Sequence, residues 1–135
     1  MNESIALSVV TREKSLFDER VSEVTIPAEN GEMQALPLHT PYIARLSVGE
    51  LSFTLDGGLR KIVLVTGGFV EVLPDQVTVL VRTAEFPKEI DATRAEEARK
   101  RAEKRLMNPT NDTDLERARA ALTRAIARLK LVGNT

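Results

Sequence analysis

The sequence predicts a β-sandwich of about ten strands in two sheets, followed by a C-terminal antiparallel α-helical hairpin. Three observations carry that expectation. The hydrophobic period changes from two to helical between Val81 and Ile90, glycine is absent from Gly68 onward until Gly133, and the net charge changes sign across the same boundary. Residues 1–86 are therefore expected to form the sandwich and residues 87–135 a separate helix-turn-helix domain.

In the first part, apolar residues alternate or cluster in short runs: Ile5, Leu7, Val9; Val24, Ile26; Leu51, Phe53, Leu55; Ile62–Val65; Val70, Val72; and Val77, Val79, Val81. Alternation rich in β-branched residues indicates strands with one face buried. Turn chemistry separates them at Asn30-Gly31, Asp56-Gly57-Gly58, Gly67-Gly68 and Pro74-Asp75, and both glycine pairs read as hairpin turns.

From Ile90 onward Ala, Arg, Glu, Lys and Leu dominate, a strongly helix-forming composition. Asp91 is placed to cap a helix running to Leu106 or Met107, and Asn108-Pro109-Thr110-Asn111 breaks it. Thr113 and Glu116 have the spacing of a capping box for a second helix. Its apolar stripe is Leu115, Ala118, Leu122, Ala125, Leu129 and Val132, facing Ala95, Ala98, Ala102 and Leu106. A seam made largely of alanine buries few methylenes, so the hairpin is expected to be only marginally stable alone.

Composition excludes several functions. The chain has no cysteine and a single histidine, His39, so neither a disulfide framework nor a standard zinc site is available. His39 lies between Pro37 and Pro41 and reads as a loop residue. No Ser/His/Asp signature is present, and the carboxylates of the first part are scattered singly, so no catalytic residues are expected. Met1–Val10 mixes Asn, Glu and Ser with apolar residues, unlike a secretory h-region. The apolar runs fall far short of the ~20 residues that cross a bilayer. Any membrane connection is expected to run through a partner.

Residues 1–84 carry seven Lys/Arg against eleven Asp/Glu, a net of −4, and residues 85–135 carry twelve against nine, a net of +3. Arg94, Arg101 and Arg105 are spaced i, i+7, i+11, and Arg117, Arg124 and Arg128 repeat that spacing, so each trio shares a helix face. Glu97 has the i,i+4 spacing to pair with Arg101. After Glu116, by contrast, no acidic residue follows while cations accumulate. Such a face reads either as a solvated charged surface that complements the helix dipole or as a seat for an external polyanion: a nucleotide phosphate, a nucleic acid or an acidic protein surface. Nucleic acid fits worst, with one Tyr and no Trp to stack bases and a pI near 5.9. No glycine-rich phosphate loop is present, so guanidinium side chains would bind any phosphate.

Four segments then bear on family. Ile26-Pro27-Ala28-Glu29-Asn30-Gly31-Glu32, Pro37-Leu38-His39-Thr40-Pro41, Thr66-Gly67-Gly68-Phe69-Val70-Glu71-Val72 and Asp75-Gln76-Val77-Thr78-Val79-Leu80 occur in order before the helical hairpin. Together they resemble the epsilon subunit of bacterial and chloroplast F-type ATP synthases, from about Ile5 to Leu129. The resemblance implies a non-catalytic central-stalk subunit of a proton-translocating complex. Its sandwich would pack on the gamma subunit and the c subunits of the rotor ring, with Glu32 and His39 at the ring. Its hairpin would extend along gamma towards the alpha/beta catalytic head and inhibit ATP hydrolysis. It also implies a folded hairpin that binds ATP as a regulatory ligand, through Glu85, Ile90, Asp91, Arg94, Ala95, Arg101, Arg117, Arg124 and Arg128. The alternative is a purely structural coupling subunit whose basic hairpin binds acidic protein surfaces. Location would be peripheral, on the cytoplasmic face of a bacterial membrane or the stromal face of a thylakoid. The family loop usually reads Gly-Glu-Leu-Gly-Ile-Leu-Pro-Gly-His-Ala-Pro. Here Gln34 and Leu38 replace two of its glycines, so that loop is expected to be reshaped if those glycines sit at positive φ.

Overall fold

A computed structural model describes residues 4–38 and 40–133. The chain divides into two compact units, Met1–Glu85 and Phe86–Thr135.

Among its described residues the first unit has seven strands: β1 (Ile5–Val10), β2 (Ser15–Ala28), β3 (Gly31–Ala35), β4 (Tyr42–Leu55), β5 (Arg60–Val72), β6 (Gln76–Val81) and β7 (Ala84–Glu85). β1 runs parallel to β6 and antiparallel to β2, while β6–β5, β5–β4 and β4–β2 are antiparallel. The hydrogen bonds thus lead from β1 through β6, β5, β4 and β2 back to β1, a barrel-like closure of the sandwich that leaves few free edges. β3 extends this circuit beyond β2, and β7 pairs with β5.

The sandwich class is as the sequence predicts, and the strand count of about ten resolves into seven. β2, β4 and β5 run for 14, 14 and 13 residues and each serves different neighbours along its length. β2 pairs with β1 through Val21, then with β3 and β4, and its register shifts between Val21 and Glu23 and between Thr25 and Ala28. Such irregularities bend a strand and increase its twist, so one strand continues where two would otherwise be needed.

Gly67-Gly68 is not a turn. Both residues lie inside β5, at φ 106 and 134, and the strand continues through them. An added Cβ on Gly68 would stand 1.9 Å from the Leu80 carbonyl oxygen, so the glycine permits a close approach of β5 to β6. Gly57-Gly58, in contrast, does form the β4–β5 turn, both at positive φ.

Alternation holds in β1 and β6, where Ile5, Leu7, Val9, Val77, Val79 and Val81 are buried. In β4 and β5 the positions Leu51–Phe53 and Val63–Thr66 are buried consecutively, on both faces of the sheet. Phe17 and Phe53 meet with ring centroids 4.5 Å apart in a tilted arrangement. On the β2–β4 surface, Glu23 accepts hydrogen bonds from Gln34 Nε2 at 2.9 Å and Thr54 Oγ1 at 3.3 Å.

The second unit opens with a short 3-10 turn, Pro87–Glu89, in which the Phe86 N–H donates to the Glu89 carboxylate at 2.8 Å. Helices α1 (Ala92–Met107) and α2 (Leu115–Gly133) follow and pack on each other.

Candidate functional site

The hairpin is built on two aspartate caps. Asp91 has extended backbone angles, and its Oδ1 accepts the Arg94 N–H at 3.1 Å. α2 starts one residue later than its sequence suggests: Asp114 Oδ1 accepts the Arg117 N–H at 3.0 Å. Thr113 instead closes the inter-helix turn, its hydroxyl accepting the Thr110 N–H at 2.9 Å while its own N–H donates to the Thr110 carbonyl at 3.1 Å. A carboxylate also gains from the positive end of the helix dipole, which a threonine hydroxyl does not. Asp91→Ala and Asp114→Ala should each cost about 1 kcal/mol of hairpin stability, read by thermal melting followed through helical circular dichroism.

The seam follows the predicted alanines in part. Ala95, Ala102, Ala118 and Ala125 are buried, whereas Ala98, Leu106, Leu122, Leu129 and Val132 are half-buried and Leu115 is exposed. Leu131, off the predicted stripe, is buried. Four buried alanine methyl groups contribute about 3 kcal/mol at roughly 0.8 kcal/mol each and Leu131 adds about 1.5–3 kcal/mol, together little against the entropy of ordering two helices.

Arg94, Arg101 and Arg117 are exposed, and Arg124 and Arg128 are half-buried. Among the described residues, Arg94, Arg101, Arg117 and Arg124 take part in no ion pair. The expected Glu97–Arg101 pair is likewise absent among them. Two carboxylates of α1 gather on a different arginine: Arg99 donates to Glu103 Oε1 at 2.8 Å and to Glu96 Oε1. The hydrogen bond from Arg99 holds the Glu96 carboxyl below its ordinary pKa, and the same bond raises that of Arg99. Sequence reasoning passed over this triad, although its i,i+3 and i,i+4 spacings make it legible.

Eight of the nine expected ATP-binding residues therefore belong to the hairpin unit: Ile90 ends the 3-10 turn, Asp91 caps α1, Ala95 lies in the seam, and the five arginines line the helices. Glu85 ends the first unit, half-buried on β7 opposite Leu64.

Of the two expected ring-contact residues, His39 lies outside the described residues. Glu32 is not in a loop but exposed on β3, which pairs only with β2, opposite Pro27. The two replaced glycines behave differently. Gln34 is ordinary extended backbone in β3, where a side chain costs nothing and reaches Glu23. Leu38 keeps a positive φ of 68, a glycine-like conformation occupied by a leucine. Among the described residues, no group of three His, Cys, Asp or Glu side chains could hold a metal ion, and no helix is long and apolar enough to cross a membrane.

Residues 4–87 match the family described as ATP synthase, Delta/Epsilon chain, beta-sandwich domain, and residues 88–133 the one described as ATP synthase, Delta/Epsilon chain, long alpha-helix domain. Sandwich and hairpin together thus define a chain of the delta/epsilon class. An ATP synthase epsilon chain of Syntrophobacter fumaroxidans is 47% identical over 135 residues, the whole of both chains. Another, of Bacillus velezensis, is 41% identical over 97% of this chain and 98% of that one. The protein belongs to the ATP synthase epsilon-chain family. In fold it also resembles a chain of the Euglena gracilis mitochondrial ATP synthase OSCP/F1/c-ring structure. That match has a TM-score of 0.85 and 23% identity, covering 96% of this chain and 81% of that one.

Proposed function

We propose that the protein is a non-catalytic regulatory subunit of the central stalk of an F1Fo ATP synthase, and that its folded hairpin binds ATP. The sandwich is the anchor, packing on the gamma subunit and meeting the c subunits of the rotor ring through the β2–β3 hairpin and the loop that follows. The complex holds it at the cytoplasmic face of the membrane. The hairpin is the moving part, extending towards the alpha/beta head to inhibit ATP hydrolysis when no nucleotide holds it closed.

One observation carries the nucleotide reading: Arg94 and Arg101 on α1 and Arg117 and Arg124 on α2 take part in no ion pair among the described residues, while Glu96 and Glu103 are engaged by Arg99. Arg124 and Arg128 stand four residues apart on α2, which puts their Cβ atoms about 5–6 Å from each other. That separation suits adjacent phosphate groups, which guanidinium groups grip through paired N–H donors. Because the seam stabilises the hairpin weakly, a ligand that binds only the closed form shifts its population substantially.

Calorimetric titration of the isolated protein with ATP and ADP, with and without magnesium, tests this directly. Saturable heat with ATP, accompanied by a rise in melting temperature, is the expected result. No heat at millimolar ATP would remove nucleotide sensing and leave the stalk assignment standing. Deleting residues 88–135 from the assembled complex should raise ATP hydrolysis; an unchanged rate would remove the inhibitory role.

A further inference from the structure

The turn between β2 and β3 places a reactive pair of residues at the surface. Asn30 and Gly31 are both exposed, and Gly31 opens β3 directly after the Glu29-Asn30 connection. Of the asparagines in the chain, only Asn30 precedes a glycine. The difference is chemical. The side-chain carbonyl carbon of an asparagine is open to attack by the backbone nitrogen of the next residue, and a Cβ on that residue obstructs the approach. Gly31 has none, and the space that a Cβ would take is open. Asn108 is followed by Pro109, whose nitrogen carries no hydrogen, and Asn111 by Asp112, which has a Cβ.

The fold leaves this attack accessible. Among the described residues the Asn30 side-chain amide makes no hydrogen bond that would hold it away. Gly31 lies opposite Ala28, so the turn must open before its nitrogen reaches the Asn30 side chain. Opening is inexpensive here, because β3 pairs with β2 alone among the described residues and only Ala35, at its far end, is buried. On the β2 side, the Glu29 N–H donates to the Arg45 carbonyl at 2.9 Å and stays tied to β4.

We infer that Asn30 is a site of spontaneous covalent modification, which deamidates through a cyclic imide and leaves an isoaspartyl linkage at the β2–β3 turn. The Gly31 nitrogen gives its proton to hydroxide and forms a bond to the Asn30 side-chain carbonyl carbon. The carbon–nitrogen bond of the side-chain amide breaks, and ammonia leaves after taking a proton from water. Water then opens the imide. Cleavage at the main-chain carbonyl routes the backbone through the side chain as isoaspartate, and cleavage at the side-chain carbonyl gives aspartate. Both products put a carboxylate between Glu29 and Glu32 in place of a neutral amide. Isoaspartate also lengthens the turn by one backbone atom, which disturbs the register of Gly31–Ala35 on β2 and loosens the edge strand β3.

The test incubates the full chain at mildly alkaline pH and maps its peptides by mass spectrometry, with fragmentation that separates Asn30 from Gln34 and isoaspartate from aspartate. Methyl transfer from S-adenosylmethionine by a protein isoaspartyl methyltransferase counts the isoaspartyl product independently. Replacement of NH2 by OH at Asn30, with isoaspartate in excess and Asn108 and Asn111 intact, is the expected result. Asn30→Gln should lose the modification; Asn30 has an ordinary negative-side φ, so glutamine fits its backbone. An intact Asn30, or an Asn111 that reacts as fast, would overturn the site. Aspartate without isoaspartate would overturn the imide route. Hydrogen exchange then reads the consequence: the amides of β3 should exchange faster in the aged wild type than in fresh protein, and no faster in aged Asn30→Gln. Asn30→Asp carries the charge without the added backbone atom and should keep β3 protected. Equal exchange in aged and fresh wild type would overturn the loosening of β3.

Discussion

Replacing Arg124 and Arg128 together with alanine is expected to weaken ATP binding at least about 100-fold. Hydrogen bonds to charged groups contribute about 1.5–3 kcal/mol each, and the double variant removes a pair on one face of α2. Both side chains are half-buried, which shields their interactions from solvent more than those of the exposed Arg94 and Arg101. The informative control is Arg119→Ala. Arg119 lies on the same helix but is offset from the Arg117–Arg124–Arg128 face and is exposed. It removes one positive charge without removing a member of the trio, so its effect should stay within about threefold. Comparable losses from Arg119→Ala and from the double variant, measured by calorimetry at fixed salt, would show that general electrostatic attraction suffices and that the trio forms no site.

The second large effect concerns the sandwich. Gly68→Ala should destabilise the first unit by about 3 kcal/mol or more, combining a backbone angle hostile to Cβ with a steric clash. The new Cβ would meet the Leu80 carbonyl oxygen at 1.9 Å and its carbon at 2.9 Å. Neither strand can easily move aside, because Gly68 is paired with Leu46 on β4 and with Val81 on β6. In a domain of this size such a loss lowers the melting temperature by about 12 °C or more. Gly67→Ala separates the two contributions. It has the same left-handed preference, at φ 106, but its nearest neighbour is the Arg82 side chain at 3.9 Å. It should therefore cost only about 1–2 kcal/mol, the backbone share. Equal melting temperatures for the two variants would show that the close approach to β6 contributes nothing.

The sequence was most legible where one residue's environment follows from its immediate neighbours. β1 and β6 alternate because one face is buried, and Asp91 caps α1 because a short acceptor side chain precedes a helix-forming run. β3 left little trace because only Ala35 is fully buried in it. The first half of β4, Tyr42–Glu50, is likewise mostly half-buried and shows no clean period. Gly67-Gly68 carried the ordinary signature of a turn. Only the packing of β5 against β6 makes it a bend within a strand, since local chemistry offers glycine in both places for the same conformational reason.

The candidate site divides along the same line. The arginine trios and the absence of acidic residues after Glu116 are plain in the sequence, because helical periodicity alone assigns residues to a face. Which carboxylate neutralises which arginine was decided by side-chain geometry, and it placed Arg99, rather than Arg101, between Glu96 and Glu103.

By itself, then, the sequence determined the two-domain order, the fold class of each domain and the charge asymmetry, properties written in periods and composition, and its four ordered segments carried the resemblance to the family. The tertiary structure alone decided that β2, β4 and β5 run unbroken through the sandwich, and that Gly68 is irreplaceable beside Leu80. It alone decided that Leu38 holds the backbone of a glycine while its side chain stands exposed. These features depend on strands brought together from distant parts of the chain, and on backbone angles fixed by hydrogen bonds across them. A reading confined to sequence neighbours does not register such constraints.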